Sequence, residues 1–284
     1  MGVISPVGND VNTFWSNLCN GVCGIDHIKS FPTDNLPVGI AGIIKDFKAE
    51  EYGMDKPFIR KQDLFTQYGV AAAYQAMKQS GLSSQGENKN IDPFRLGVYF
   101  GSGIGGFATQ YREISKMIED PSGQWISPLF IPTMISNIAA GHIAILNNAQ
   151  GPCLDIVTAC ATSTNAMGEA FRAIRNGYAD AIITGGCENA TIPIGIVGFA
   201  NAKALSRATD PNYASLPFNG NRAGFVMADG SAALVLEEYE HAKARGAQIL
   251  GEMVGYGNTC DAYHSTAPRP DGTTQAKCIE LALE

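Results

Sequence analysis

The 284-residue sequence has no run of about 18 apolar residues that could span a bilayer. It also shows no secretory leader, because its first residues, Met-Gly-Val-Ile-Ser-Pro, carry no positively charged segment. Pro6 stands where an N-myristoylation signal needs Ser or Thr. No membrane anchor is expected. Basic runs are missing too: 20 Lys and Arg face 27 Asp and Glu, a formal net charge of −7, so nucleic acid is not an expected partner. Charged residues amount to only 17% against 45% hydrophobic, which excludes a disordered polymer and predicts a globular protein. Cysteine is sparse and odd in number, with Cys19, Cys23, Cys153, Cys160, Cys187, Cys260 and Cys278 widely spread. That usage fits a reducing compartment, and a soluble cytoplasmic protein is expected.

What is present is a chain long enough for one or two domains, with 32 glycines scattered through its apolar segments as close packing in a layered fold requires. Val70, Ala71, Ala73, Tyr74 and Met77 recur at helical spacing, and Gly81 ends the pattern, predicting a helix over 66–81 with a glycine cap. Leu96-Gly-Val-Tyr-Phe100 predicts a strand, followed by a helix at 135–147. Further strands are predicted at 154–159 and 180–184, with a helix between them at 160–176. Beyond these come a strand over 224–237, a short helix at 239–245, a strand at 249–256 and an amphipathic helix at 274–284. Pro211, Pro217 and Gly220 mark 210–221 as a surface loop. Strands alternating with helices point to an α/β fold with a parallel or mixed sheet covered on both faces.

The most informative stretch runs from Gly151 through Cys160 to Ala170, where an apolar strand is predicted to turn into a helix at Cys160. Unpaired N–H groups and the positive end of the helix dipole favour a thiolate there. Small residues (Ala161, Thr162, Ser163, Ala166, Gly168, Ala170, Ala173) surround the predicted helix, which is therefore expected to be buried all round. A buried cysteine is as often a small hydrophobe as a nucleophile, and residue chemistry alone leaves both readings open.

Gly151, Ile156, Ala159, Cys160, Ala161-Thr-Ser163 and Met167 stand at the spacing of the active-site signature of the β-ketoacyl synthases. Ser5-Pro-Val-Gly8, Gly101-Ser-Gly-Ile-Gly-Gly106, Ile126-Ser-Pro128, Gly185-Gly186, Ala204-Leu-Ser206, Gly224-Phe-Val226, Leu236-Glu-Glu-Tyr-Glu-His241 and Asp261-Ala-Tyr-His264 continue the match in order. Over essentially its whole length the chain resembles the elongating, type II branch of that family. The resemblance implies a thiolase-like layered αβα fold, incomplete at the C-terminal half, with an N-terminal ketosynthase domain over 1–247 and the start of a C-terminal one over 248–284. It also implies an acyltransferase in fatty acid synthesis that performs decarboxylative Claisen condensation. Cys160 would accept an acyl group from acyl carrier protein, and malonyl-acyl carrier protein would supply the carbanion. The backbone N–H of Cys160 would be one oxyanion-hole donor. Ile104 and Phe199 would line or gate the acyl pocket, and His264 would lie near it, with ordinary core packing the other explanation for the two apolar residues. Arg60, Lys61 and Arg207 would dock the acidic carrier, although a solvated charge cluster accounts for them equally. A homodimer and no cofactor are implied.

The family's two catalytic histidines lie downstream of the Asp-Ala-Tyr-His segment, and His27, His142 and His241 match neither. Malonyl decarboxylation is expected to fail without them, and a fragment lacking one edge strand and most of the second half is expected. A non-catalytic binding or scaffold subunit and a polyketide chain-elongation subunit remain alternatives. Gly101, Gly103 and Gly106 satisfy G-x-G-x-x-G, but the polar segment 111–120 that follows does not supply the second strand of a dinucleotide fold. Cys19, Cys23 and His27 have a spacing zinc could use, yet a fourth ligand is missing and no metal is expected. Gln124-Trp125 stand where some relatives carry basic residues, which implies altered carrier docking.

Overall fold

The apolar run at 96–101 lies inside a sheet in the computed structural model, which describes residues 1–284. The strands are β1 (Gly2–Ile4), β2 (Ile25–His27), β3 (Ile40–Gly42), β4 (Leu96–Gly101), β5 (Cys153–Leu154), β6 (Ala181–Glu188) and β7 (Gly230–Glu237). Five form one sheet in the order β1-β7-β6-β4-β5, and β2 pairs with β3 apart from it. β4 is parallel to β5 and β6, whereas β7 is antiparallel to β6 and to β1. The helices are α1 (Val11–Cys19), α2 (Lys56–Lys61), α3 (Leu64–Ser80), α4 (Phe107–Glu119), α5 (Phe130–Met134), α6 (Ile138–Leu146), α7 (Thr162–Arg175), α8 (Pro193–Asn201), α9 (Tyr239–Ala244) and α10 (Thr273–Leu283). None is long and apolar enough to cross a membrane.

A strand covered on both faces needs apolar side chains on both. Leu96, Val98 and Phe100 enter the core formed with α3 and α6, while Tyr99 joins Ile182, Ala170 and Ala173 against α7. The period of two thus makes three layers, helices on either side of one sheet. α3 is buried without a break from Phe65 to Ala73. It starts at Asp63, whose carboxylate accepts the Phe65 N–H, and stops at Gly81, whose φ of 64° is the left-handed cap foreseen for it. A third cluster packs Ile196 and Ala200 of α8 against Ile40 of β3 and Met227.

Several expectations are corrected. No strand forms at 249–256, because no neighbouring strand pairs with it. Its last residue, Tyr256, instead packs against α7, where its hydroxyl donates to Asn165 Oδ1 at 3.1 Å. The strand at 154–159 shrinks to Cys153–Leu154, since the chain turns away to build the 158–162 turn. The strand expected from 224 starts at 230, because Phe225 and Ala228 make isolated bridges to Leu205 and Gly42 rather than to the main sheet. The edge strand expected to be missing is present in short form as β1, with Gly2 opposite Ala233. α7 is not buried all round: Ala166, Ala170 and Ala173 face the sheet, while Arg172 and Arg175 are exposed.

Candidate active site

β4 and β6 run parallel and end side by side, with Gly101 opposite Gly186. Ligands of α/β sheets bind beyond such C-terminal strand ends, where loops and helix N-termini converge. A cavity of about 540 Å³ opens there, lined by Ser102, Gly103 and Ile104 after β4, Cys160 and Ser163 around the start of α7, Glu188, Phe199 of α8, and Phe225 and Met227.

The turn that presents Cys160 is built from local bonds. The Thr158 N–H donates to the Thr162 hydroxyl at 2.9 Å, and a short 3-10 turn, Ala159–Ala161, precedes α7, which therefore starts at Thr162 instead of at Cys160. Ala159 has a φ of 50°, left-handed for a residue with a Cβ. Such a conformation costs on the order of 1–3 kcal/mol and persists only where the surroundings enforce it. It leaves Cys160 exposed on the cavity wall, immediately before the positive end of α7. The turn can lie this close to β4 because position 101 is glycine. A Cβ there would stand 2.3 Å from Thr162 Cγ2 and 2.4 Å from the Ile156 carbonyl oxygen.

The glycine-rich loop after β4 is occupied by the protein itself. Glu188 Oε2 accepts the Gly103 N–H at 2.7 Å, Oε1 accepts the Ser102 hydroxyl at 2.9 Å, and the Ser102 oxygen accepts the Gly105 N–H at 2.8 Å. Donors that a nucleotide phosphate would need already hold a carboxylate. Burial pushes the Glu188 carboxyl up, with the Ser102 and Gly103 bonds opposing. Asp229 is also pushed up by burial, and it accepts the Ala190 and Thr191 N–H groups at 3.1 and 3.0 Å just ahead of α8.

Of the residues singled out from sequence, Cys160, Ile104 and Phe199 share the cavity wall, and the Phe199 ring stands edge-on to Phe225 with centroids 5.5 Å apart. His264 is not among the lining residues. It is exposed, and its Nδ1 accepts the Thr266 and Ala267 N–H groups, both at 3.1 Å, which folds its ring into its own loop. Arg60 and Lys61 end α2 and are exposed. Arg207, exposed as well, shares a separate depression with Lys203. No three His, Cys, Asp or Glu side chains are grouped to hold a metal ion, and Cys23 Sγ instead points to the Pro211 carbonyl at 3.6 Å. Sequence reasoning missed Glu188, Asp229, Phe225 and Met227. The one available signal was Glu188, an acid two residues after Gly185-Gly186 at the end of an apolar run.

Residues 1–242 match the family described as "Beta-ketoacyl synthase, N-terminal domain". The chain belongs to the β-ketoacyl synthase family. The 3-oxoacyl-[acyl-carrier-protein] synthase 2 of Vibrio cholerae is 46% identical over all 284 residues, which cover 67% of that protein. The Staphylococcus aureus protein of the same name is 44% identical over the whole chain, covering 69% of its length. The chain thus spans about two thirds of these synthases. Among solved structures, a type II polyketide ketosynthase in complex with its acyl-carrier protein and bound to the hexaketide superposes with a TM-score of 0.87 at 30% identity, over 99% of this chain and 67% of that one. A β-ketoacyl synthase from Burkholderia phymatum gives 0.86 at 28% identity, over 99% and 68%. The thiolase-like layered fold implied by the sequence motifs is the fold these neighbours share.

Proposed function

We propose that this chain carries the acyl-accepting half of a β-ketoacyl-acyl-carrier-protein synthase, with Cys160 as nucleophile. The single observation that supports this most is a cysteine on a strained turn ahead of α7, opening onto a cavity whose walls include Ile104, Phe199 and Phe225. In the acyl step the Cys160 sulfur attacks the carbonyl carbon of an acyl thioester. A new C–S bond forms, the bond to the carrier thiol breaks, and that thiol leaves with the proton Cys160 gave up. The Cys160 N–H would stabilise the tetrahedral oxyanion, and the apolar wall would hold the acyl tail. None of the four histidines lines the cavity, so these residues do not supply the decarboxylation of a malonyl carrier that condensation also requires.

The carrier is acyl carrier protein, docking on the exposed Arg60, Lys61 and Arg207, with malonyl-acyl carrier protein as the second donor. The domain boundary near 247 agrees with a sheet that closes at Glu237 and with α9 directly after it. A homodimer is in keeping with the unpaired edge of β5 and its exposed Leu154. Seven unpaired cysteines accord with a cytoplasmic location. Fatty acid elongation is favoured over a polyketide role because identity to the synthase 2 relatives, 46% and 44%, exceeds the 30% to the polyketide ketosynthase. Incubation with acyl thioesters and intact mass spectrometry tests the reading. One acyl group per chain, mapped to Cys160 and lost in Cys160→Ala, is expected; acylation spread over other cysteines overturns it.

A further inference from the structure

Glu188 is a buried acid that the acyl-transfer step does not use, and both of its oxygens are committed to one loop. Oε2 takes the Gly103 N–H at 2.7 Å and Oε1 the Ser102 hydroxyl at 2.9 Å, and the Ser102 oxygen passes the restraint on to the Gly105 N–H at 2.8 Å. Between the two ends of that chain of bonds sits Ile104, whose side chain the loop contributes to the cavity. The fit is close: a Cβ on Gly103 would lie 2.8 Å from Glu188 Oε2 and 3.7 Å from the carbonyl oxygen of Ala159, the residue before Cys160. We propose that Glu188 is a positioning residue for acyl-chain selection, clasping the 102–105 loop so that Ile104 is fixed relative to Cys160 and sets how much of an acyl tail the cavity accepts.

This rests on the proposed acylation of Cys160, and it makes a demand that a stabilising role alone does not. Each methylene buried against the wall is worth roughly fourfold in binding. A clasp that fixes Ile104 therefore acts on long tails and leaves short ones alone. General destabilisation would slow every donor alike. Glu188→Ala removes both acceptors. Glu188→Gln keeps a workable pair, its carbonyl oxygen accepting from Gly103 and its amide donating to the Ser102 oxygen.

The experiment compares wild type, Glu188→Ala and Glu188→Gln in the rate of Cys160 acylation by a short and a long acyl thioester. The same three proteins are then tested with alkyl maleimides of graded length. Expected in Glu188→Ala is a change of fourfold or more in the long-to-short ratio with both probe series, and recovery of the ratio in Glu188→Gln. An unchanged ratio, or an equal slowing at all lengths, overturns the proposal. If wild type takes no acyl group from any thioester, the reading of Cys160 as acyl acceptor fails, and the maleimide ratio still decides the clasp.

Discussion

The closest approach at the site is between β4 and the turn that carries Cys160, and adding one methyl group there tests whether the two are mechanically coupled. In Gly101→Ala the new Cβ would stand 2.3 Å from Thr162 Cγ2 and 2.4 Å from the Ile156 carbonyl oxygen. Relief of both needs a displacement of about 1 Å, since unstrained carbon contacts lie at about 3.5–4.0 Å and a carbonyl oxygen cannot swing aside as a side chain can. Overpacking of this kind costs typically about 1–3 kcal/mol. For a chain of this size each kcal/mol lowers the melting temperature by roughly 2–4 °C. The methyl group also presses on Thr162, whose hydroxyl accepts the Thr158 N–H and so closes the turn around Cys160. A shift of about 1 Å at a reacting group can cost on the order of 100-fold in rate. Two readouts should therefore move together, the melting temperature and the rate of Cys160 acylation. Gly141→Ala in α6 is the control, because nothing beyond its chain neighbours and its own helix backbone lies within 4 Å of the added Cβ. It should raise stability by up to about 1 kcal/mol and leave acylation alone. Gly101→Ala melting and acylating as wild type would refute the packing argument. A lowered melting temperature with unchanged acylation would refute the coupling.

Cys160→Ser should keep the fold and lose stable labelling by iodoacetamide at position 160, read by peptide mass mapping. Phe199→Ala should remove an edge-to-face ring pair worth about 0.5–1.5 kcal/mol and shift acylation toward bulkier acyl groups, measured by competition between donors. The Glu113 carboxyl is subject to burial, which would raise it, but the Ser127 N–H, Lys116 and Arg112 outweigh that and hold it at about 2 against an ordinary 4.5. A depressed carboxyl adds stability that is complete above the unfolded value and is lost as pH falls through the folded one, here between 4.5 and about 2. Solvent screening at the partly exposed Lys116 and Arg112 limits this to on the order of 1–2 kcal/mol. Urea unfolding of Glu113→Gln should show a shallower acid limb in that window, and an unchanged one would contradict the assignment.

How far the sequence could be read depended on whether a segment's structure is decided locally. α3 and β4 were legible because their apolar period and the Gly81 cap act within a few residues. The turn at Cys160 was only half legible, since Ala159 gives no warning of a left-handed φ that its tertiary surroundings enforce. The expected strand at 249–256 failed for the converse reason. Its residues suit a strand, but strand formation needs a partner, and none lies alongside. Glu188 and Asp229 escaped notice because the predicted strand at 180–184 stopped short of Glu188 and the one at 224–237 ran through Asp229, and nothing local marks either acid as buried. Their inward orientation appears only when the 102–105 loop and the start of α8 close over them.

The occupied glycine-rich loop also bears on how this pocket could be blocked. Compounds that imitate a diphosphate would have to evict an internal carboxylate that already satisfies the Ser102 and Gly103 donors. An oily electrophile meets no such competitor, so screening collections biased toward nucleotide mimics would be searched in vain.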